Sequence, residues 1–560
     1  MLRLPRPHVK LPLRRTGSRK RDEQVLSRGQ IIVLFALSLT VLIGIMGLAI
    51  DISYAWISEM RMQKAADAAA LAGAVYLPDQ TGPATTASLA EAVQNGYTNN
   101  VGGVVINAAR DEPNHQQMDV TISAPIPTFF MRIFGVTSLT SSRTAHAQYN
   151  LPLPMGSPLN IFGYPTSTDL QGNAQNFWAA IQGPCTLKQN GDPYATKDFT
   201  TVHTNCGSVT TPDNTEYKAP TAGDPGAYDY SIKVPAGGTG TLTIQLYDPE
   251  YCQRASQGDD TGDTAFSNGS SVNFNTVFTL YNQSTTPYDL TDDTVNTQVS
   301  YPGDGGISTS DGQSGKTHSC SPYYVNSVPG YITAGGTGSI CYPTPSNPCG
   351  AANPWIKFAT LAVTPGSYRL NVQTTTVGSS PADGSNMFSI QATSTADASH
   401  QPQVFGGTVG TQSTMSIFNN LQSGTSYIYL AQVDSTNAGK TLIVDLFDPG
   451  DLNGTGTMYF EEPTATAPYY TDATFTWRNS GTSLSSAGTQ SGNVTSVVTA
   501  SGGTSHFQGN WLVVTIPIDP SYAAPQNGWW KIRYVITGGA AHDRTTWTAR
   551  VQNSPVHLVP

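Results

Sequence analysis

Carboxylates, amides and aromatic rings form the few groupings in this sequence that could do chemistry. Asp448-Pro-Gly-Asp451-Leu-Asn453-Gly gathers oxygen ligands on a loop, as a calcium site requires, and Asp259-Asp260 with Asp263 does the same. Asp and Asn are also ordinary turn residues beside Gly and Pro. Two readings therefore stand side by side: solvated turns, or a calcium ion held by Asp448, Asp451 and Asn453. Trp529-Trp530 could stack on a sugar ring, yet the pair lies on an expected strand, with one ring in the core and the other facing out. Gly315-Lys316-Thr317 and Gly439-Lys440-Thr441 mimic the end of a phosphate loop, but Ser310 and Asp434 stand where the first Gly is needed. No Gly-x-Ser-x-Gly elbow and no His-Glu-x-x-His string occurs, and the nine His are scattered singly. A Ser/His/Asp triad needs no adjacency in sequence, so a hydrolase with a split triad stays open beside the favoured reading of a non-enzyme.

The elements that must position these groups follow from composition. Charged residues make up 12% of the 560, while Gly and Pro together supply 92. That profile argues against a helical cytosolic enzyme and for turn-rich β structure. The net charge of −10 gives no basic face for nucleic acid, so no nucleic-acid partner is expected.

The average hides an asymmetry. Residues 1–30 carry nine Lys/Arg against Asp22 and Glu23, whereas the rest of the chain has a balance of −17. Ile31 to Ile50 then runs without a charge for twenty residues, about 30 Å of helix and the thickness of a bilayer's hydrocarbon core. Positive charge is retained in the cytoplasm, which predicts a single-pass protein with its N-terminus inside and everything after Asp51 outside. A cleaved signal peptide is the competing reading, with Gly47-Leu48-Ala49 as its site; the apolar run is longer than such peptides need. Residues 51–77 hold strong helix formers with no Gly or Pro before Gly73, so one helix is expected over about 30–77. Asp51 falls at the outer headgroup level, and Asp67 interrupts an Ala surface. Both are read as water-facing, with partner recognition as the sharper alternative.

Arg28-Gly29-Gln30, the apolar span, Gly47-Leu48-Ala49-Ile50-Asp51, and the run Gln63-Lys64-Ala65-Ala66-Asp67-Ala68-Ala69-Ala70-Leu71-Ala72-Gly73-Ala74 together resemble the TadE/TadG-like proteins of Flp (tight adherence) pilus assembly. The resemblance implies a bacterial cell-membrane protein with a pilin-like outline and pilus-assembly or envelope proteins as partners. Residues 84–150 look like the rest of that module: a helix over Ala87 to Asn99, strands near 104–108 and 118–123, a helix at 128–135, and a strand around 138–147. Prepilin cleavage resembles a cut after Gly with Glu five residues on, and here Leu34 stands at that place, which favours a permanent anchor. The Asp-x-Ser-x-Ser metal string of some relatives does not occur. The Ala/Gly face permits close helix approach, which motivates lateral helix association.

The remaining sequence is duplicated. Tyr228 to Pro249 and Tyr427 to Pro449 share Leu242/Leu442, Leu246/Leu446, Asp248/Asp448 and Pro249/Pro449. Further ordered echoes pair 161–163 with 404–406, Phe278 with Phe475, Trp355 with Trp511, 366–370 with 528–532, and 388–390 with 547–549. Alternation such as Leu242, Ile244, Leu246 marks half-buried strands. All six cysteines lie in the first copy: Cys185 and Cys206 in one insertion, Cys320, Cys341 and Cys349 in another, and Cys252 after the shared Asp-Pro. An even count outside the membrane predicts disulfides in any of 15 pairings; zinc lacks its Cys-x-x-Cys spacing.

The expected architecture is mostly β. A basic tail (1–29) leads into a transmembrane and extended helix (30–77) and a small α+β module (78–150). Two tandem antiparallel β-sandwich, jelly-roll-like modules follow (151–397 and 398–560), faintly resembling bacterial jelly-roll accessory domains. The function expected is a membrane-anchored structural or assembly accessory of a Flp/Tad-type pilus or adhesion apparatus, without cofactor unless calcium binds. A tethered binder of carbohydrate or envelope polymer is the main alternative.

Overall fold

The computed structural model describes residues 22–197, 214–217, 228–238, 240–248, 251–254, 263–266, 274–284, 286, 288–301, 304–307, 355–376, 382–395, 398–406, 414–421, 423–480, 492–552 and 556–559. The chain divides into two compact units, one holding residues 1–77, 81–148 and 556–560, the other 78–80 and 149–555.

In the smaller unit, helix α1 (Asp22–Ala74) runs unbroken for 53 residues, because nothing between the apolar span and the Ala-rich run interrupts its hydrogen bonding. It is long and apolar enough to cross a membrane, with a mean hydropathy of 2.8 over its best window. Between Ile31 and Ile50 every residue except Gly47 is exposed, so most of the apolar surface of that stretch is uncovered among the described residues. The C-terminal half is buried along one face. Met62, Ala65, Ala66, Ala69, Ala70 and Ala74 pack against helix α2 (Thr81–Gln94) and the alternating inner residues Met118, Val120 and Ile122 of strand Gln117–Pro127. Helix α2 begins before the expected Ala87, since Pro83 sits in the first turn, where its missing N–H costs nothing. Strands Val105–Arg110, Gln117–Pro127 and Ser138–Tyr149 form an antiparallel meander, and the fourth strand of the sheet is Val556–Val559, from the far end of the sequence.

Burial of the Ala face overturns the expectation of lateral association through it. Small side chains there let α2 and the sheet approach α1 within the same chain. At Gly73 an added Cβ would stand 2.2 Å from Ser88 Oγ and 2.9 Å from the Ala84 carbonyl.

The larger unit is all β, and its two sequence copies share one continuous sheet. From the middle outward, the first copy supplies Phe177–Gln182, Gly384–Ser394, Thr241–Tyr247 and Ile356–Ala362. The second supplies Met415–Leu421, Ala541–Val551, Thr441–Phe447 and Trp511–Pro517 in the same order. The halves meet where Trp178 lies opposite Phe418, with Ala179 opposite Ile417 and Phe177 opposite Asn419. That register is a pseudo-twofold axis. Each half is completed as a sandwich by a second antiparallel sheet. One has Phe274–Tyr281, Gly366–Thr376 and Tyr228–Val234 at its centre, the other Gly424–Gln432, Trp529–Thr537 and Thr455–Pro463. One hydrophobic cluster runs through both, from Met155 to Ala549.

The halves also exchange edges. Gln403–Gly406, from the second copy, pairs with Tyr228–Val234 of the first, while Gly156 of the first bridges to Tyr429 of the second. The echo of 161–163 with 404–406 is therefore not structural: Ile161–Phe162 pairs with Gly384–Ser394, and it is Gly156, opposite Tyr429, that takes the place of Gly406, opposite Tyr230. Phe278 and Phe475 likewise fall on different sheets, and Trp547 occupies the place of Ile390, each opposite the corresponding Leu446 or Leu246. The matches at 241–247 and 355–356 hold in register, and the pairing of 228–234 with 366–370 holds at Tyr368/Trp530 but is shifted by one residue beyond a bulge between Tyr429 and Ala431. At the last of these the duplication repeats a buried cation. Arg369 pairs with Asp229 (3.2 Å) and Asp293 (2.7 Å) over the Tyr281 ring, and Lys531 pairs with Asp169 (2.5 Å) over Tyr470.

Candidate functional site

The most developed polar arrangement in the smaller unit is built around Asp51. Its carboxylate is buried and accepts three backbone N–H groups in succession, from Phe129 (2.8 Å), Phe130 (3.0 Å) and Met131 (2.7 Å). These are the opening residues of the 3-10 turn Met131–Phe134, whose first N–H groups have no partner inside so short an element. Asp51 is thus an internal cap holding a loop against α1, which corrects its reading as a water-facing charge. Gly47, one turn earlier, makes the close approach feasible: a Cβ there would stand 2.7 Å from the Phe130 ring. Phe129 packs edge-on against Tyr54 at 5.1 Å. Farther along, Glu59 accepts from Ser141 (2.7 Å) and pairs with Arg143 on the adjacent strand. Asp67 is half-buried and accepts from Gln63 (2.8 Å).

The sequence pointed to Asp51 but not to its partners. Five large apolar residues within Phe129-Phe130-Met131-Arg132-Ile133-Phe134 were the available signal, Met131 with Phe129, Phe130, Ile133 and Phe134. All four of Phe129, Phe130, Ile133 and Phe134 are exposed.

In the larger unit, the proposed calcium residues lie at a turn opened by Asp448, which adopts φ 55°. Asp448 is fully buried and its Oδ1 accepts the Gly509 N–H at 2.7 Å, with the Gly191 N–H also directed at the carboxylate. Asp451 and Gly450 donate their N–H groups to Asp543, a residue the sequence had not singled out. Asn453 is tied to the Ala540 carbonyl through its backbone. Burial, reinforced by the neighbouring carboxylates, raises Asp448 well above the usual range and pushes Asp451 up to about 7. Burial also lowers Arg544, beside them, to about 10. Among the described residues no group of three or more His, Cys, Asp or Glu is placed to hold a metal ion. Asp259 and Asp260 lie outside the described residues; Asp263 is buried and accepts the Met387 N–H at 2.7 Å.

Cys185 is buried among Tyr251, Phe274 and Ala382, and Cys252 begins the short strand Cys252–Arg254. Cys206, Cys320, Cys341 and Cys349 lie outside the described residues, as does the Gly315-Lys316-Thr317 string. Trp529 and Trp530 are both buried, contrary to the expectation that one faces out: Trp529 packs on Tyr429 and Phe405, and Trp530 donates to Tyr522. The exchanged edge covers the face that would have carried the exposed ring.

Residues 29–75 match the Tad family model, described as putative Flp pilus-assembly TadE/G-like. The match covers the apolar span, Gly47, Asp51 and the buried Ala face, and ends at the residue after α1. A comparison with curated proteins finds no match.

Proposed function

We propose that this chain is a membrane-anchored structural or assembly accessory of a Flp/Tad-type pilus or adhesion apparatus. Its basic N-terminus would lie in the cytoplasm, and its β-rich unit would be displayed outside. The observation that carries the reading is the Tad match over residues 29–75, coinciding with a helix whose first part is exposed apart from Gly47 and whose second part is the spine of a small α+β unit. In this reading the spine fixes the chain in the bilayer, and the paired sandwiches present a broad rigid surface to other envelope components. The work is mechanical and associative, without a catalytic step. Co-purification of the cross-linked full-length chain from membranes that assemble a Flp/Tad pilus tests the assignment. Recovery of pilus secretion components is expected; their absence under conditions that recover those components with one another would overturn it. Protease accessibility in sealed spheroplasts tests the orientation, with cleavage of the β-rich unit from outside as the expected result.

A further inference from the structure

We infer that the turn Phe129–Phe134 is a second membrane contact, a wedge seated in the lipid layer beside the point where α1 emerges. The inference rests on the reading that Ile31–Ile50 spans the bilayer. Three observations meet at this turn. Ile133 and Phe134 are among its most exposed side chains, at 77% and 84%, and Phe129 adds 53% beside them. Large apolar groups of this kind, adjacent on one short turn, have no aqueous rationale.

The turn's depth is fixed by its contacts with α1. The Phe130 ring lies against Gly47, three residues before the end of the uncharged run and so about 4.5 Å inside it along the helix axis. A bilayer that covers Ile31–Ile50 therefore reaches the level of Phe130. The three hydrogen bonds to Asp51 and the Phe129–Tyr54 contact hold the turn at that level.

The surrounding side chains are of the kind that populate a membrane–water boundary. Trp56 is exposed on the next turn of α1, and Tyr54 packs edge-on against Phe129, so aromatic side chains stand along the helix at the exit point. Arg132 is exposed between the apolar residues, where a long cationic side chain reaches the headgroups while its stem lies in the apolar layer. The occupant is lipid: acyl chain near the headgroups for Ile133 and Phe134, and anionic headgroup for Arg132. The buried Asp51 carboxylate serves this arrangement by satisfying backbone donors that lipid could not satisfy.

Depth-dependent quenching of the full-length chain, reconstituted at one copy per nanodisc, tests the inference. An environment-sensitive fluorescent amino acid replaces Phe134, and in separate samples Leu39 in mid-span or Glu112 on the exposed side of the small unit. Nitroxide groups are carried on the lipid either near the headgroup or near the acyl terminus. The probe at 134 is expected to be quenched several-fold more by the shallow nitroxide than by the deep one, the probe at 39 in the reverse order, and the probe at 112 by neither. A probe at 134 that behaves like the one at 112 while 39 is quenched overturns the wedge and leaves the span intact. Failure of quenching at 39 removes the span, and the wedge with it. A probe at 134 that is shielded from aqueous iodide yet unaffected by either nitroxide shows that protein covers the turn, which also overturns the inference. Repeating the series with the probe at Ile133 guards against a local disturbance at 134.

Discussion

Replacing Lys531 by Met should loosen the joint between the two sequence copies. Lys531 stands on a central strand of the second copy, and its ammonium lies 2.5 Å from Asp169 of the first, hydrogen-bonds Gln171 and sits 3.7 Å above the Tyr470 ring. Both side chains are 1% exposed. Burial alone would raise Asp169, but the hydrogen bonds from Lys531 and Asn173 outweigh it and hold the carboxyl below its ordinary value. The same burial pulls Lys531 down from the usual lysine value. Methionine keeps most of the apolar stem and removes the charge. Breaking a buried pair costs about 3–5 kcal/mol, because the partner is left charged and unmatched. Asp169 keeps the Gln171 N–H, the Asn173 N–H and the Asn173 side-chain amide, so about 3 kcal/mol is expected. Urea unfolding of the full-length chain in micelles, followed by tryptophan fluorescence, reads the loss. In the double variant Lys531→Met/Asp169→Asn the unmatched charge is gone, and the two costs should fall short of additivity by about 2 kcal/mol. A single-variant cost below about 1 kcal/mol, or strict additivity, would refute the claim that this pair ties the copies together.

Other outcomes follow from the same geometry. Asp51→Ala removes the acceptor for three consecutive N–H groups, so hydrogen exchange at residues 129–131 should accelerate strongly while exchange in strand Gln117–Pro127 stays unchanged. Gly73→Leu forces α2 away from α1, and overpacking of about 1–3 kcal/mol should outweigh the better helix propensity; heat-induced protease sensitivity of the small unit would report it. Because Asp451 is raised from 3.8 to about 7 on folding, its contribution is fully present below about pH 4 and is lost as pH rises through 7. Lowering the pH from 8 to 5.5 in chelator should therefore add about 2 kcal/mol of stability through Asp451, and Asp451→Asn should lose that increment while the part contributed by buried Asp448 remains. Added calcium that flattens the slope instead would show a bound cation at the turn.

The long helix and the β character were legible because they depend on composition and period, which a single sequence displays. Twenty uncharged residues are long and apolar enough to cross a bilayer, and the alternation of Leu242, Ile244 and Leu246 leaves one face for a core. The Ala face was misread because small residues signal only close approach, and whether the approaching surface is another chain or α2 depends on tertiary contacts. The long echo at 228–249 and 427–449 held on its second strand, where Leu242, Ile244 and Leu246 follow the same period as Leu442, Val444 and Leu446, and slipped by one residue at a bulge on its first. The echo of 161–163 with 404–406 did not, because three residues say little about register and the edges there are exchanged. Asp51 was visible as a residue, but its hydrogen-bond donors lie nearly eighty positions away and are main-chain groups, which carry no sequence signature.

The return of Val556–Val559 to the sheet of the small unit makes the large β-rich unit a detour within that unit, leaving it and coming back to it. It is moored by two lines, so a protease that severs the link near residue 149 leaves the cargo held by the pairing of Val556–Val559 alone. During synthesis the small sheet must also wait with an open edge until some four hundred further residues have been made.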